Sequence, residues 1–149
     1  MIDPVIKSIE VGCSAEQAFD VFVNKTTQWW PKGEHSVSAG KGEVAQNVTI
    51  EPRLGGAVYE ITSDGERMAW GVVTRFEPGV AMAMTWNPGG GAAEDTLVEV
   101  VFEMVAKGCR VTLTHSGWDA LGETGMGMRD GYNSGWVYVF EELFAEACN

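Results

Sequence analysis

Residues 67–86 read RMAWGVVTRFEPGVAMAMTW. Large apolar side chains alternate with small or polar ones on both sides of Pro78-Gly79. In extended chain, successive side chains point to opposite faces. Met68, Trp70, Val72, Thr74 and Phe76 are therefore expected in one row, and Val80, Met82, Met84 and Trp86 in the next. Ala81, Ala83 and Thr85 fall on the other side. Pro-Gly is a turn pair, and so short a connection joins antiparallel neighbours, because parallel strands need a long crossover. This pair of rows implies a sheet with one heavily apolar face.

Working outward, the same period of two extends over about 43–117. Pro52 with Gly55-Gly56, Asp64-Gly65, Pro88 to Gly91 and Lys107-Gly108 supply the other turns. Six strands are expected, at roughly 43–51, 57–63, 67–77, 80–86, 95–105 and 109–116. Val98, Val100, Phe102 and Met104 face one way, while Glu99 and Glu103 face the other. Val111, Leu113 and His115 complete the apolar face.

Upstream, Ile6 to Val11 has the β-branched content of a first strand. Ser14-Ala15-Glu16-Gln17 has the form of a capping box, and Ala18, Phe19, Phe22 and Val23 follow at helical spacing. A helix over about 15–23 is predicted, then a short turn carrying Trp29-Trp30 that Pro31 stops. Downstream, Tyr132, Trp136, Val139/Phe140, Leu143 and Ala147 recur at i, i+4, i+7, with Glu141, Glu142 and Glu146 mostly off that stripe. A final helix over about 130–148 is expected to lie across the apolar face. The glycine-rich 122–131 stretch before it reads as a flexible connection, and as a gate if the fold encloses a ligand. The result is an α+β helix-grip fold: a curved antiparallel sheet of about seven strands wrapped on a long C-terminal helix, with two short helices after the first strand.

The 149 residues make one domain, 1–149, large enough to bury ~68–70% of the unfolded surface without staples. With 21 acidic against 10 basic residues the net charge is −11, which argues against a nucleic-acid backbone or an anionic membrane surface as partner. No apolar run approaches the ~18–20 residues of a membrane span. Met1-Ile2-Asp3-Pro4 lacks the regions of a signal peptide, and Cys13, Cys109 and Cys148 are odd in number without a C-x-x-C pair. The expected compartment is the cytoplasm.

The ordered motifs Glu51-Pro52-Arg53 with Gly55-Gly56, Trp70-Gly71-Val72-Val73, Thr85-Trp86, Thr96 to Val100, Gly108 to Trp118, Tyr132 and Gly135-Trp136 resemble one known family. It is the START-like, birch-pollen-allergen-like superfamily often called SRPBCC, and within it the branch named after the activator of heat-shock protein 90 ATPase. Cys109 stands where that branch commonly has Thr. The resemblance implies a cavity between sheet and long helix that holds apolar ligands, with chemistry in a minority of members. It also raises two alternatives, a chaperone-stimulating adaptor and a polyketide cyclase/aromatase-type enzyme.

The two histidines, His35 and His115, lie far apart, with no H-E-x-x-H or cysteine pair, so no metal site is expected. Gly125-x-Gly127 follows no strand and lacks Lys-Ser/Thr, and no other cofactor signature occurs. No catalytic residue is assigned. The expected ligand-binding set is Met68, Trp70, Val72, Met84 and Trp86 from the first two rows, and Val100, Phe102, Leu113 and His115 from the next two. Tyr132, Trp136 and Phe140 come from the helix. The Trp and Met side chains read either as core packing or as cavity walls that accept a flat or irregular apolar ligand. His115 reads either as a hydrogen-bonded core residue or as a polar anchor at the pocket mouth. Glu60 and Arg75 are the charges nearest a cavity, with Arg75 on the outer side. The expected partner is an apolar small molecule; a homodimer and a chaperone partner both stay open.

Overall fold

In the computed structural model, which describes residues 1–149, seven antiparallel strands form one sheet. They are β1 (Val5–Val11), β2 (Asn47–Ile50), β3 (Ala57–Ile61), β4 (Arg67–Glu77), β5 (Ala81–Trp86), β6 (Thr96–Val105) and β7 (Gly108–Ser116). Their order is β1-β7-β6-β5-β4-β3-β2, so the first strand pairs with the last, Val5 opposite His115 and Val11 opposite Cys109. Two short helices, α1 (Ala15–Asn24) and α2 (Thr26–Trp29), separate β1 from β2. This is the expected helix-grip α+β architecture.

The capping box forms as read: Gln17 N–H donates to Ser14 Oγ, and Ser14 N–H donates to Gln17 Oε1. Both satisfy amides that an uncapped helix start leaves unpaired. α1 buries Ala18, Phe19, Phe22 and Val23. Phe22 and Trp29 meet Phe144 of the last helix at 5.3 and 5.2 Å between ring centroids. These rings close one half of the space between sheet and helix.

Strand parity holds where the ladder is regular and fails where it is not. β4 carries two irregularities, one at Trp70-Gly71 against β3 and one at Thr74 against β5. Each extra residue shifts the alternation by one. Val72 therefore points outward, 46% exposed, and Val73 takes the buried position instead. Thr74 is likewise exposed. Val80 and Met104, also expected inside, are exposed: Val80 lies in the turn before β5, and Met104 near the end of β6. Gly71 packs against the backbone of β5, and a Cβ there would lie 1.8 Å from the Thr85 carbonyl oxygen. On the outer face, Arg75 donates to Glu99 at 3.1 Å across Ala83, which lies between them in the register and is buried.

The C-terminal helix begins earlier than its apolar stripe suggests. A 3-10 segment, Trp118–Thr124, leads into α3 (Gly125–Trp136), then a π-helical stretch, Val137–Phe144, and a last turn, Ala145–Ala147. Residues 125–131 are therefore the first turns of this helix, which removes the basis for a glycine gate. Gly125 is needed for packing, since a Cβ would lie 2.3 Å from the Trp118 carbonyl oxygen. No helix is long and apolar enough to cross a membrane.

Candidate functional site

Between the sheet and α3 lies a cavity of about 550 Å³. Its aromatic walls are Trp30, Trp70, Trp86, Tyr132 and Trp136, with Met128 and Val139 beside them. Neighbouring indoles stand edge-on or tilted to one another, with Trp30–Trp70 at 5.3 Å, Trp70–Trp86 at 5.3 Å and Trp86–Trp136 at 5.6 Å. The helix side has room because Gly131 and Gly135, one turn apart, face the space without side chains. A second chamber of about 130 Å³ adjoins it, sharing Trp86, Pro88, Met128 and Tyr132.

The remaining wall is the loop over residues 34–40, and Glu60 holds it. The Glu60 side chain is fully buried on β3. Its carboxylate accepts hydrogen bonds from Val37 N (2.6 Å), Ser38 N (3.1 Å), Ser38 Oγ (2.9 Å) and Trp70 Nε1 (2.9 Å). A carboxylate offers about four acceptor positions, and here four donors use them. That satisfaction lets a charge sit in the core, and it fixes loop and Trp70 together. Glu34, His35 and Gly40 of the loop are exposed and give the cavity a polar rim. Tyr138 Oη donates to Glu34 Oε1 at 2.9 Å, tying that rim to the last helix.

His115 faces inward as parity predicts, but it stands behind the wall. Trp136 Nε1 donates to its Nδ1 (3.0 Å), which places the ring proton on Nε2. Nε2 donates to Thr96 Oγ1 (2.7 Å), whose own hydrogen goes to the Trp86 carbonyl (3.1 Å). Both ring nitrogens are engaged, and none is left for a ligand. Burial pushes the imidazole down to about 3, so it is neutral at pH 7. Its role is to lock Trp136 and Trp86, two cavity walls, into one network.

Of the twelve residues expected to bind ligand, the structure brings Trp70, Trp86, Tyr132 and Trp136 onto the cavity wall. Met84, Val100, Phe102, Leu113, His115 and Phe140 are packed core, each at most 4% exposed. Met68 is partly buried, with its terminal methyl near Gly89, and Val72 faces solvent. The sequence reading missed the loop over 34–40, Gly131 and Gly135. Trp30, expected with Trp29 in a short turn, both packs on Trp29 and lines the cavity. Gly131, Tyr132, Gly135 and Trp136 do share one helical face, a signal that the apolar pattern alone leaves out because glycine has no side chain.

The family model for activator of Hsp90 ATPase homolog 1-like proteins matches residues 12–145. The chain belongs to this family. No curated protein sequence matches it significantly. Among solved structures, this member of the Hsp90 ATPase activator homolog 1-like family is similar to an anthrahydroquino-γ-pyrone synthase, Txn09, at 27% identity and a TM-score of 0.59. That match covers 89% of this chain and 88% of that one. It is also similar to CalC, a self-sacrificing resistance protein from Micromonospora echinospora, at 22% identity, TM-score 0.72, and coverage of 98% and 94%. A protein of Chromobacterium violaceum shares 16% identity at a TM-score of 0.68, covering 99% and 98%. The last two likenesses concern the fold.

Proposed function

We propose that this protein binds an apolar, aromatic small molecule in the cavity between its sheet and C-terminal helix, as a carrier or sensor in the cytoplasm. One observation carries the reading: phenylalanines fill one half of the space inside the grip, while the other half is a roughly 550 Å³ void walled by four tryptophans and a tyrosine under a polar rim. A ligand burying ~250 Å² of apolar surface there gains ~6 kcal/mol. Indole faces and edges suit a flat ring system. The 27% identity to an enzyme named for making an anthrahydroquino-γ-pyrone supports an aromatic ligand. A carrier ranks above a cyclase-type enzyme because Glu34 and His35 sit on the exposed rim, away from the inner wall. The cavity also places it above an adaptor, which needs no such space.

The test is a tryptophan-fluorescence titration with 9-fluorenone, a flat tricyclic ketone, on wild type and Gly131→Leu. A Cβ at Gly131 meets nothing within 4 Å, so a larger side chain extends into the cavity without a backbone clash. Saturable quenching in wild type, weakened ten-fold or more in a folded Gly131→Leu, is the expected result. Wild type that shows no saturable quenching refutes the reading.

A further inference from the structure

The four indoles that wall the cavity have no N–H to offer a ligand. Trp30 Nε1 donates to the His35 carbonyl (2.6 Å), and Trp70 Nε1 donates to Glu60. Trp86 Nε1 donates to Tyr132 Oη (3.0 Å), and Trp136 Nε1 to His115 Nδ1. What the tryptophans show to the cavity is ring carbon and π-face. The Tyr132 hydroxyl differs. It accepts from Trp86, and its own hydrogen has no acceptor in the protein. Tyr132 also borders both the main cavity and the smaller chamber, so its side chain stands at their junction. Burial holds its pKa above the usual tyrosine value, so the proton stays on the oxygen. A phenol that accepts an indole N–H is also a better donor, because linked hydrogen bonds polarise one another.

We infer that Tyr132 is the specificity-determining residue of this cavity, and that the ligand is a flat aromatic molecule carrying a carbonyl-type acceptor oxygen, seated on the indoles with that oxygen accepting from Tyr132 Oη. The inference rests on the cavity-binding reading above and names the ligand class. A ligand ammonium at the same place would leave the phenolic hydrogen without a partner, because it has no lone pair to accept with. An aromatic hydrocarbon would leave it unpaired in an apolar surrounding, which is costly.

The experiment compares 9-fluorenone with fluorene, which has nearly the same shape but a methylene in place of the carbonyl. Both are titrated against wild type and Tyr132→Phe by tryptophan quenching. Wild type is expected to bind fluorenone about ten-fold more tightly than fluorene, in line with ~1.4 kcal/mol for one satisfied hydrogen bond. Tyr132→Phe should abolish that preference while still binding fluorene saturably. Retained fluorene binding shows that the variant is folded with its cavity intact. If Tyr132→Phe keeps the wild-type fluorenone-to-fluorene ratio, or if wild type shows no preference, the assignment of Tyr132 is overturned while the cavity reading survives. If wild type binds neither compound, both fall together.

Discussion

Acid should loosen this fold through a single ring. In the native state His115 is neutral, with a pKa of about 3, whereas an unfolded histidine titrates at its ordinary value of 6.5. Protonating the native ring would set an Nδ1–H against the Trp136 Nε1–H, two donors facing each other. Below pH 6.5 the unfolded state therefore binds a proton that the native state refuses. Stability is fully present above that pH and is lost as pH falls toward 3. Between pH 7 and pH 5, these two pKa values give a loss of about 2 kcal/mol from this one group. That is a sizeable part of the ~5–15 kcal/mol that holds a domain together. The assay is urea unfolding followed by tryptophan emission, at both pH values, for wild type and His115→Asn. The variant is less stable throughout, but the difference between its two pH values isolates the imidazole, because carboxylates common to both proteins cancel. Wild type should lose about 2 kcal/mol more than His115→Asn between the two pH values. An equal loss in both would refute the neutral, locked ring.

Two further perturbations address the frame around the cavity. Glu60→Gln places an amide N–H₂ among four donors, Val37 N, Ser38 N, Ser38 Oγ and Trp70 Nε1. It should cost about 3 kcal/mol in a urea titration and speed hydrogen exchange at the Val37 and Ser38 amides; unchanged exchange there would show that the loop holds without the carboxylate. Gly71→Ala forces a Cβ against the Thr85 carbonyl and should lower the urea midpoint by the equivalent of about 3 kcal/mol at unchanged m-value. A loss below ~0.5 kcal/mol, the scale of an ordinary surface change, would mean that the two strands separate easily.

The fold was legible because its signals are periodic. The capping box at Ser14–Gln17, the turn at Pro78-Gly79 and the alternation in β5, β6 and β7 each repeat a local rule, and the structure obeys them. The misreadings occur where one residue breaks the period, as before Val72, or where a strand begins or ends, as at Val80 and Met104. Val72 follows an irregularity at Trp70-Gly71 that reverses its side, and the apolar alternation gives no sign of it. The site was half legible for a related reason. An apolar face predicts what is buried, but burial does not distinguish a wall from filling. Met84, Val100, Phe102 and Leu113 share the concave face with Trp70 and Trp86, Phe140 shares the last helix with Trp136, and these five are packed solid. What makes the void is the residues with little or nothing to contribute to packing, Gly131 and Gly135, and a loop over 34–40 held by a distant carboxylate. None of these carries a hydrophobic signature.

A void of this size in a small core has to be kept from collapsing, since native interiors otherwise close to crystal-like density. The chemistry of the side chains explains why one half of the grip is full and the other open. Phenylalanine has no polar atom, so Phe19, Phe22, Phe102, Phe140 and Phe144 are free to slide until they touch, and they do, with Phe140 and Phe144 stacked at 5.4 Å. Each tryptophan around the cavity is instead pinned at its Nε1, to the His35 carbonyl, Glu60, Tyr132 or His115. To fold into the void, an indole would have to abandon that partner and leave a buried donor unpaired, at about 1–3 kcal/mol per ring. The partners are themselves anchored: Glu60 by the loop amides and His115 by Thr96. The walls therefore stand apart because each indole nitrogen is tied to a fixed partner in the protein. Those ties use every indole N–H and leave Tyr132 as the one side chain of the aromatic wall with a hydrogen still to give.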